Sequence, residues 1–507
     1  MPHAMTTPWY LDAWADFAPS KLALIESGTG AQLTYRGLQE ASVKAAAAMA
    51  DAGVAAHDVV AYLLSEPITT IVALFAVNRL GAAWMPLNPR LWPADWRRQL
   101  RHADSCAVLV DGDTSSAAPL AAEGQTLRLI PVAGFAGSAG KAGLGSQGAA
   151  DDDLAGLLYT SGTTGEPKGA RHSHRTLWGW NYSLTTSLGL QSADRILNPY
   201  PLYHMGGIGF TLAALQIGAT AILATPFDPQ NLAAALRSYR PSVAFMVPTM
   251  VQALLDHPEA RTAMADGPLS HLVVTSAPLM GRTRRMIHEA WPRLKTTVLY
   301  SATEAVFSLG PVGSEDFGVG VPAFGHEMAV LDEQGKICPP GQLGRLAVRG
   351  VSVFAGYHRQ ANPPGGADPG WFCAGDVGFQ DAGGMFHLVD REKDLINSGG
   401  EKISSVEIEN RLKLHPAVDD VAVVGIPDPY WGERIHAVVV LRPGLAPESL
   451  EAFARRVLPS YKVPKSWSYC RSLPKTETGK ILKRMLREEI SRVPERARVS
   501  PAREDPQ

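Results

Sequence analysis

Cysteine is scarce in this sequence, and the features that mark several other protein classes are missing. Only four cysteines occur among 507 residues and no two form a CxxC pair, which excludes a disulfide framework or a cysteine-rich zinc site. No run approaches the roughly 18 consecutive apolar residues of a membrane-spanning helix. The first residues lack the basic and apolar regions of a signal peptide. A net charge of −2 argues against nucleic acid or an anionic membrane as the main partner. We therefore expect a cytoplasmic protein.

The length and the hydrophobic pattern predict an α/β protein of two domains. A chain of 507 residues exceeds one ordinary domain. Helical patterns such as Ala41–Ala50 alternate with short apolar runs at Ser242–Pro248, His271–Thr275 and Thr296–Tyr300. This alternation favours largely parallel sheets flanked by helices, in which ligands bind at the carboxyl ends of strands. We assign residues 1–390 to this large domain and read the Gly-rich stretch Gly134–Asp153 as a surface loop.

The units become shorter beyond Asp390, which predicts a small α+β domain over residues 391–493. Ser404–Glu407 has the pattern of a capping box that opens a helix. Val421–Gly425 and His436–Leu441 are predicted strands, and Glu448–Leu458 carries a helical apolar stripe. The Pro- and charge-rich tail over residues 494–507 is expected to be disordered.

A loop rich in glycine and hydroxyl residues is the most informative segment. It runs from Leu157 to Gly169 and follows an apolar strand. Its glycines let backbone N–H groups approach an anion, its hydroxyls add donors, and Lys168 adds a positive charge. A flexible surface turn is the alternative interpretation. The Walker A pattern fails, because Pro167 precedes Lys168 and Gly169 follows it.

Together with six further motifs in the same order, this loop resembles the signature of the adenylate-forming superfamily, which includes acyl-CoA synthetases. These motifs span nearly the whole chain: Tyr200–Gly207, Tyr300–Glu304, Gly341–Leu346 with Gly356–Tyr357, Trp371–Asp376, Asp390–Ile403 with Glu407–Glu409, and Pro474–Lys480. The resemblance implies a large N-terminal and a small mobile C-terminal domain. It also implies a reaction in which a carboxylate attacks the α-phosphorus of ATP, pyrophosphate leaves, and a thiol then attacks the acyl-AMP.

The resemblance assigns catalytic roles to Lys480, His204, Thr303 and Lys168. Lys480 would bridge the carboxylate and the α-phosphate, and Lys168 would face the departing pyrophosphate. Glu304 would bind Mg²⁺, the expected metal cofactor. The implied ATP and AMP contacts are Thr160, Ser161, Gly162, Thr163, Thr164, Gly165, Lys168, Ala277, Pro278, Tyr300, Ser301, Thr303, Asp376, Arg391 and Lys480.

Each of these assignments has a structural alternative. Glu304 could be a solvated surface charge, and Tyr300 could be a core residue instead of a platform for adenine. Asp376 and Arg391, the implied ribose contacts, could pair with each other. His204 could be a satisfied core histidine, since no second His or Cys stands at ligand spacing. Next to the lysine motif, Lys483 and Arg484 are predicted to form a solvated face.

The resemblance also implies a hinge and a coenzyme A site. Lys393 corresponds to the pivot about which the small domain rotates between the two half-reactions. Ser398, Gly399 and Gly400 would then line the pantetheine tunnel, where absent side chains leave room. Trp431 and Tyr461 are weaker candidates for contacts with the CoA nucleotide.

The acyl pocket is expected beside the histidine motif and the strand that ends at Tyr300. Its implied wall is His204, Ile208, Val247, Ala277, Ser301, Ala302 and Val306. No Lys or Arg stands among these residues to match a second carboxylate, which favours a monocarboxylic acid. Ser301 replaces the family's usual glycine and Ala374 replaces its usual Thr or Ser. The extra atoms at Ser301 predict a short- or medium-chain or single-ring aromatic acid instead of a long fatty acid.

The function predicted from these motifs is an AMP-forming acid–CoA ligase that uses ATP, Mg²⁺ and CoA. The closest alternative is a stand-alone ligase that loads a carrier protein. A non-catalytic nucleotide-binding protein and a kinase that releases ADP are further alternatives. The sequence leaves the acid, the pathway and the oligomeric state open.

Overall fold

This computed structural model describes residues 5–112, 127–133, 149–160, 168–277, 279, 281–311, 318–360, 370–442, 450–475 and 481–492. Most of the Gly-rich stretch at 134–153 and all of the tail at 494–507 lie outside these ranges, so the predictions made for them stay predictions. Within the described ranges, no helix is long and apolar enough to cross a bilayer.

The helices of the large domain begin with recognisable caps. Thr34 accepts a hydrogen bond from the amide of Gly37, and Ser173 accepts one from Thr176, as N-cap hydroxyls do. The helices are α1 (Thr7–Phe17), α2 (Tyr35–Asp51), α3 (Pro67–Arg79), α4 (Pro93–His102), α5 (His174–Leu188), α6 (Met205–Gln216), α7 (Pro229–Tyr239), α8 (Pro248–Asp256), α9 (Pro258–Asp266) and α10 (Gly281–Ala290).

Two sheets carry the large domain. The strands are β1 (Leu22–Glu26), β2 (Gln32–Thr34), β3 (Val59–Leu63), β4 (Ala83–Pro86), β5 (Ala107–Val110), β6 (Arg128–Pro131), β7 (Leu154–Thr160), β8 (Lys168–Ser173), β9 (Arg195–Asn198), β10 (Thr220–Leu223), β11 (Val243–Met246), β12 (His271–Thr275), β13 (Lys295–Ala302), β14 (Ala305–Pro311), β15 (Gly318–Pro322), β16 (His326–Leu331), β17 (Gly344–Gly350), β18 (Phe372–Gln380) and β19 (Phe386–Arg391). The six-stranded sheet has the order β6-β5-β3-β4-β7-β8. The 13-stranded sheet has the order β16-β17-β18-β19-β15-β14-β13-β12-β11-β9-β10-β1-β2.

The predicted α/β fold with parallel sheets is confirmed. Strands β1, β10, β9, β11, β12 and β13 run parallel, as do β3, β4, β5, β6 and β7. An antiparallel extension from β13 through β19 adds to this pattern. The extension positions the site, because it brings β18 and β19 back to the end of β13.

A smaller sheet follows after Arg391. A 3-10 turn at Glu392–Asp394 separates β19 from it. Its strands are β20 (Ile396–Ser398), β21 (Glu401–Ile403), β22 (Val418–Asp428), β23 (Gly432–Leu441) and β24 (Ser466–Tyr469), and its helices are α11 (Ser405–Leu412), α12 (Leu450–Val457) and α13 (Lys483–Arg492). Ser404 caps α11 as the capping-box pattern predicts, accepting from the amide of Glu407. The boundary at 390/391 stays a prediction, which this change of sheet supports.

Candidate functional site

The hairpin of β7 and β8 holds the two ends of the Gly- and hydroxyl-rich loop. Thr160 and Lys168 are register partners at the open end of this antiparallel pair. The loop residues between them, with the predicted phosphate contacts Ser161, Gly162, Thr163, Thr164 and Gly165, lie outside the described residues. The ammonium of Lys168 lies 5.7 Å from the centre of the Tyr357 ring, within the range of a cation–π contact. The hairpin therefore delivers one positive charge beside the loop.

Glu304 is buried and contacts the same tyrosine, so the interpretation of a solvated surface charge is wrong. It sits in the turn between β13 and β14 and is 8% exposed. The hydroxyl of Tyr357 donates to its carboxylate at 2.5 Å. Burial raises the pKa of Glu304, while the hydrogen bond from Tyr357 opposes the rise. Tyr357 thus links the predicted metal ligand with the predicted pyrophosphate lysine. The sequence offered Tyr357 only as the end of a motif and gave it no role.

Tyr300 and Asp376 are buried near the end of β13, and the partly exposed Arg391 joins them. The hydroxyl of Tyr300 donates to Asp376 at 2.6 Å, and the Arg391 Nε atom lies 3.2 Å from the same carboxylate. Asp376 and Arg391 are register partners across β18 and β19, so the ion pair anticipated as an alternative is present. Burial, and then the charge of Asp376, raise the pKa of Tyr300. In this arrangement Tyr300 is largely buried, and its ring packs on that of Phe307 with 4.6 Å between the ring centres.

The predicted acyl wall divides into core and cleft residues. Ile208, Val247 and Val306 have no exposed surface and belong to the main hydrophobic core. Ala277, Ser301 and Ala302 are partly exposed at the ends of β12 and β13, as is Thr303 in the following turn. His204 stands at the start of α6, half-buried, with its ring 4.7 Å from that of Tyr203. Pro278 lies outside the described residues.

The predicted pivot Lys393 lies in the 3-10 turn between the two domains. The guanidinium of Arg487 on α13 donates to the Lys393 carbonyl at 3.3 Å and to Asp394 at 3.0 Å. Burial lowers the pKa of Lys393. On the other side of the turn, the Asp390 carboxylate accepts from the Ser405 amide at 2.8 Å and hydroxyl at 2.6 Å. A residue of the large sheet therefore caps α11 of the small domain, a role that the sequence did not reveal.

The prediction of a solvated face after the lysine motif is wrong for Lys483 and right for Arg484. Lys483 Nζ lies 2.8 Å from the Glu409 carboxylate, and both side chains are only about a tenth exposed. Burial disfavours the charged amine, but Glu409 and Asp390 outweigh it and raise the pKa of Lys483. The Arg484 side chain is 69% exposed. Lys480 itself lies outside the described residues.

Four of the predicted CoA residues lie at the β20–β21 turn, namely Ser398, Gly399, Gly400 and the contacting Trp431. Ser398 is buried, Gly399 and Gly400 are exposed, and both glycines have positive φ angles of 63° and 89°. The Gly399 amide donates to the Trp431 carbonyl at 2.8 Å. Trp431 and Tyr461 are 39% and 50% exposed. The ammonium of Lys465 lies 4.9 Å from the Trp431 ring centre, and that of Lys462 lies 5.5 Å from the Tyr461 ring centre. Each aromatic face therefore has a positive charge beside it.

Comparison with known proteins gives one consistent result. Residues 11–358 match the AMP-binding enzyme family, and residues 407–480 match the AMP-binding enzyme C-terminal domain. The chain is 35% identical to a feruloyl-CoA synthase of an Amycolatopsis species over 92% of this chain and 96% of the relative. ATP-bound MatB from Rhodopseudomonas palustris superposes with a TM-score of 0.88 at 28% identity, covering 97% of this chain and 99% of that one. The o-succinylbenzoate CoA synthetase MenE from Bacillus subtilis, in complex with its acyl-adenylate, superposes with a TM-score of 0.84 at 26% identity. The match covers 94% of this chain and 97% of that one.

Proposed function

The chain belongs to the AMP-binding enzyme family, and we propose that the residues gathered around Glu304 and Asp376 are its adenylation site. The protein is an AMP-forming acid–thiol ligase whose substrates are a small carboxylic acid, ATP and CoA. In the first half-reaction the carboxylate attacks the α-phosphorus and pyrophosphate leaves. In the second, the CoA thiol attacks the acyl-AMP and AMP leaves. Both steps bring anions together and need fixed positive charges and donors.

The observation that carries this proposal is the chain of contacts from Lys168, at the start of β8, through Tyr357 to the buried Glu304. Lys168 supplies a fixed charge for the pyrophosphate. Glu304 is a buried carboxylate with one hydrogen bond from Tyr357, an arrangement that is costly without a nearby cation. The described residues contain no cluster of three ligating side chains. Mg²⁺ fits such a site, because it is commonly held by one or two carboxylates together with substrate phosphates.

The remaining roles are those that the family resemblance implies. Asp376 accepts from the ribose hydroxyls and Arg391 donates to them, Tyr300 lies beside the adenine, and Thr303 donates to the α-phosphate. Lys480 approaches the reacting carboxylate from the small domain. His204 borders the acyl group at the start of α6. The loop residues 161–165 with Thr160, and Ala277 with Pro278, complete the nucleotide contacts, and Ser398 to Gly400 with Trp431 and Tyr461 receive CoA.

The acid in this proposal carries one carboxylate and a short chain or a single aromatic ring. No Lys or Arg stands among the assigned wall residues, and Ser301 occupies space at the strand end. The feruloyl group named for the Amycolatopsis relative fits this description, whereas succinylbenzoate, named for another relative at 28% identity, has two carboxylates. A cytoplasmic location completes the proposal, supported by four free cysteines.

A product-resolved screen tests the proposal. Purified protein with ATP and Mg²⁺ is offered aromatic, short-chain, long-chain and dicarboxylic acids, with and without CoA. We expect AMP, pyrophosphate and an acyl-CoA from an aromatic or short monocarboxylic acid. ADP would identify a kinase instead, and acyl-AMP that never reaches CoA would identify a ligase that loads a carrier protein. A preference for dicarboxylic acids would contradict the assigned wall.

A further inference from the structure

The segment Ser352–His358, which follows β17, runs alongside β8 like an additional strand. Backbone hydrogen bonds of 3.0 Å and 2.8 Å join its Gly356 carbonyl and its His358 amide to β8. Between these two contacts, Ala170 of β8 and Tyr357 form an antiparallel β-bridge. Because such bonds fix two chains in register, the segment holds a set position against the β7–β8 hairpin.

The same segment also holds the turn that carries Glu304. The Phe354 amide donates to the Glu304 backbone carbonyl at 2.8 Å. The Ser352 hydroxyl accepts from the Val306 amide, two residues further on, at 2.9 Å. The Tyr357 hydroxyl adds its bond to the Glu304 carboxylate. One short segment therefore fixes both the backbone and the side chain at Glu304, and sets them relative to the hairpin.

The side chain of Tyr357 is itself held firmly. It is buried, and its ring meets that of Phe354 edge-on with 4.8 Å between the ring centres. Within the described ranges, Tyr357 is the one side chain that donates to the Glu304 carboxylate. A donor fixed in this way restricts the orientation of the carboxylate before any ligand arrives. Carboxylates that bind metals are commonly held by such a hydrogen bond, and its loss weakens metal binding.

We propose that Tyr357 is a positioning residue that orients the Glu304 carboxylate for the Mg²⁺ of the bound nucleotide. It acts through Glu304 and not by contact with the substrates. This inference rests on the proposed adenylation site and names the residue that sets the affinity of that site for its metal. Without the hydroxyl, the carboxylate can rotate, and fixing it again when the metal binds costs conformational entropy.

Tyr357→Phe tests this proposal, because it removes the hydroxyl and keeps the ring that packs on Phe354 and Lys168. ATP binding is measured by titration calorimetry without acid, in EDTA and over a series of Mg²⁺ concentrations. The variant should bind ATP as wild type does in EDTA. The Mg²⁺ concentration that gives half of the full effect on ATP affinity should rise about 10-fold or more. The Mg²⁺ requirement of AMP formation should rise in parallel, and saturating Mg²⁺ should restore most of the rate.

Tyr35→Phe is the matched control. Tyr35 is also buried, but it lies on α2, and its hydroxyl donates to the Ala219 carbonyl at 2.7 Å. Its loss should lower the Tm, because the carbonyl loses its donor, but the Mg²⁺ dependence should stay that of wild type. A second comparison places Tyr357→Phe in a Glu304→Ala background. There it should have no further effect on the Mg²⁺ dependence of ATP binding, because the group through which it acts is gone.

The outcomes separate this inference from the proposed site. A wild-type Mg²⁺ dependence in Tyr357→Phe would overturn the inference and leave the site intact. So would a shift of the same size in Tyr35→Phe, or an undiminished effect of Tyr357→Phe in the Glu304→Ala background. If Glu304→Ala alone leaves the Mg²⁺ dependence unchanged, the proposed metal site fails and this inference falls with it.

Discussion

The site is built from charged and hydroxylated side chains that long-range contacts hold in place. Tyr357 reaches Glu304 over 53 positions of sequence, and Tyr300 reaches Asp376 over 76. Each hydroxyl donates to a carboxylate that burial would otherwise penalise, which orients the carboxylate before a ligand binds. Such preorganised groups lower the cost of reorganisation during the reaction. Substitution of a single residue should therefore affect one half-reaction more than the other, or change how stability depends on pH.

Lys480→Ala should slow acyl-AMP formation by about 100-fold or more, because a positive charge between carboxylate and α-phosphate is lost. Thioester formation from supplied acyl-AMP should change much less. Single-turnover measurements of both half-reactions check this. Arg484→Ala, four positions away on an exposed face, is the control and should behave as wild type. Equal loss in both half-reactions would contradict the assignment of Lys480.

His172 should make stability depend on pH. It is fully buried, and burial lowers its pKa to about 4 from 6.5 against the opposing effect of a backbone hydrogen bond at Thr303. Between these values the unfolded chain binds the proton and the folded one does not. Stability is therefore complete above pH 6.5 and falls as the pH drops towards 4, by on the order of 3 kcal/mol for this group.

Urea unfolding of the large domain at pH 7, 5.5 and 4.5 measures this dependence. His172→Phe should reduce the pH dependence of the unfolding free energy only in part. Burial also lowers the pKa of His174 and His271 to about 4, so these two histidines keep contributing to it. His288→Gln, at an exposed position, should leave the curve unchanged. A His172 variant that keeps the full pH dependence would show that this group does not contribute.

Helices α11 and α13 show how elements of the small domain are tied together. Ser404 and Asp390 supply oxygen acceptors at the N-terminus of α11. Glu409 on α11 pairs with Lys483 on α13 and also accepts from the Val423 amide of β22 at 2.8 Å. The pair thus links two helices to the sheet between them. This linkage also anchors the helix that begins three residues after Lys480.

Removing one partner of this pair should destabilise the small domain strongly. Lys483→Met leaves a buried carboxylate unpaired and should cost about 3–5 kcal/mol. The double variant Lys483→Met with Glu409→Leu should recover much of that loss. Chemical denaturation followed by Trp431 and Trp467 fluorescence measures the effect. Arg455→Met, which breaks an exposed pair with Glu451, should cost at most about 0.5 kcal/mol. A Lys483 variant as stable as the Arg455 one would contradict the predicted strength.

At the scale of the whole molecule, one turn joins two domains that must serve two reactions. The chain passes from the large sheet to the small one through the segment from Arg391 to Leu395. Asp390, just before this turn, caps α11 just beyond it, so the cap contact spans the predicted pivot at Lys393. Rotation about the pivot has to work against this contact.

Lys393→Pro should keep adenylation and abolish thioester formation. Proline fixes φ near −65°, and a hinge works by changing such angles. Pyrophosphate release and acyl-CoA formation, measured separately, check this. Lys393→Ala is the control, since it removes the side chain but leaves the backbone free, and both half-reactions should continue. Normal CoA turnover in the proline variant would show that the pivot lies elsewhere.

The sequence by itself determined the α/β alternation, the order of the motifs and the cap of α11 at Ser404. These features depend on local composition and spacing, which a chain displays directly. Only the tertiary structure decided that Glu304 and Lys483 are buried, that Tyr357 joins Lys168 to Glu304, and that Asp390 caps a helix of the other domain. Burial and pairing depend on neighbours that are distant in sequence, and a local pattern does not contain them. Lys483 stands in a polar helical stretch, which is typical of an exposed lysine. The carboxylate of Glu409 that pairs with it comes from another helix.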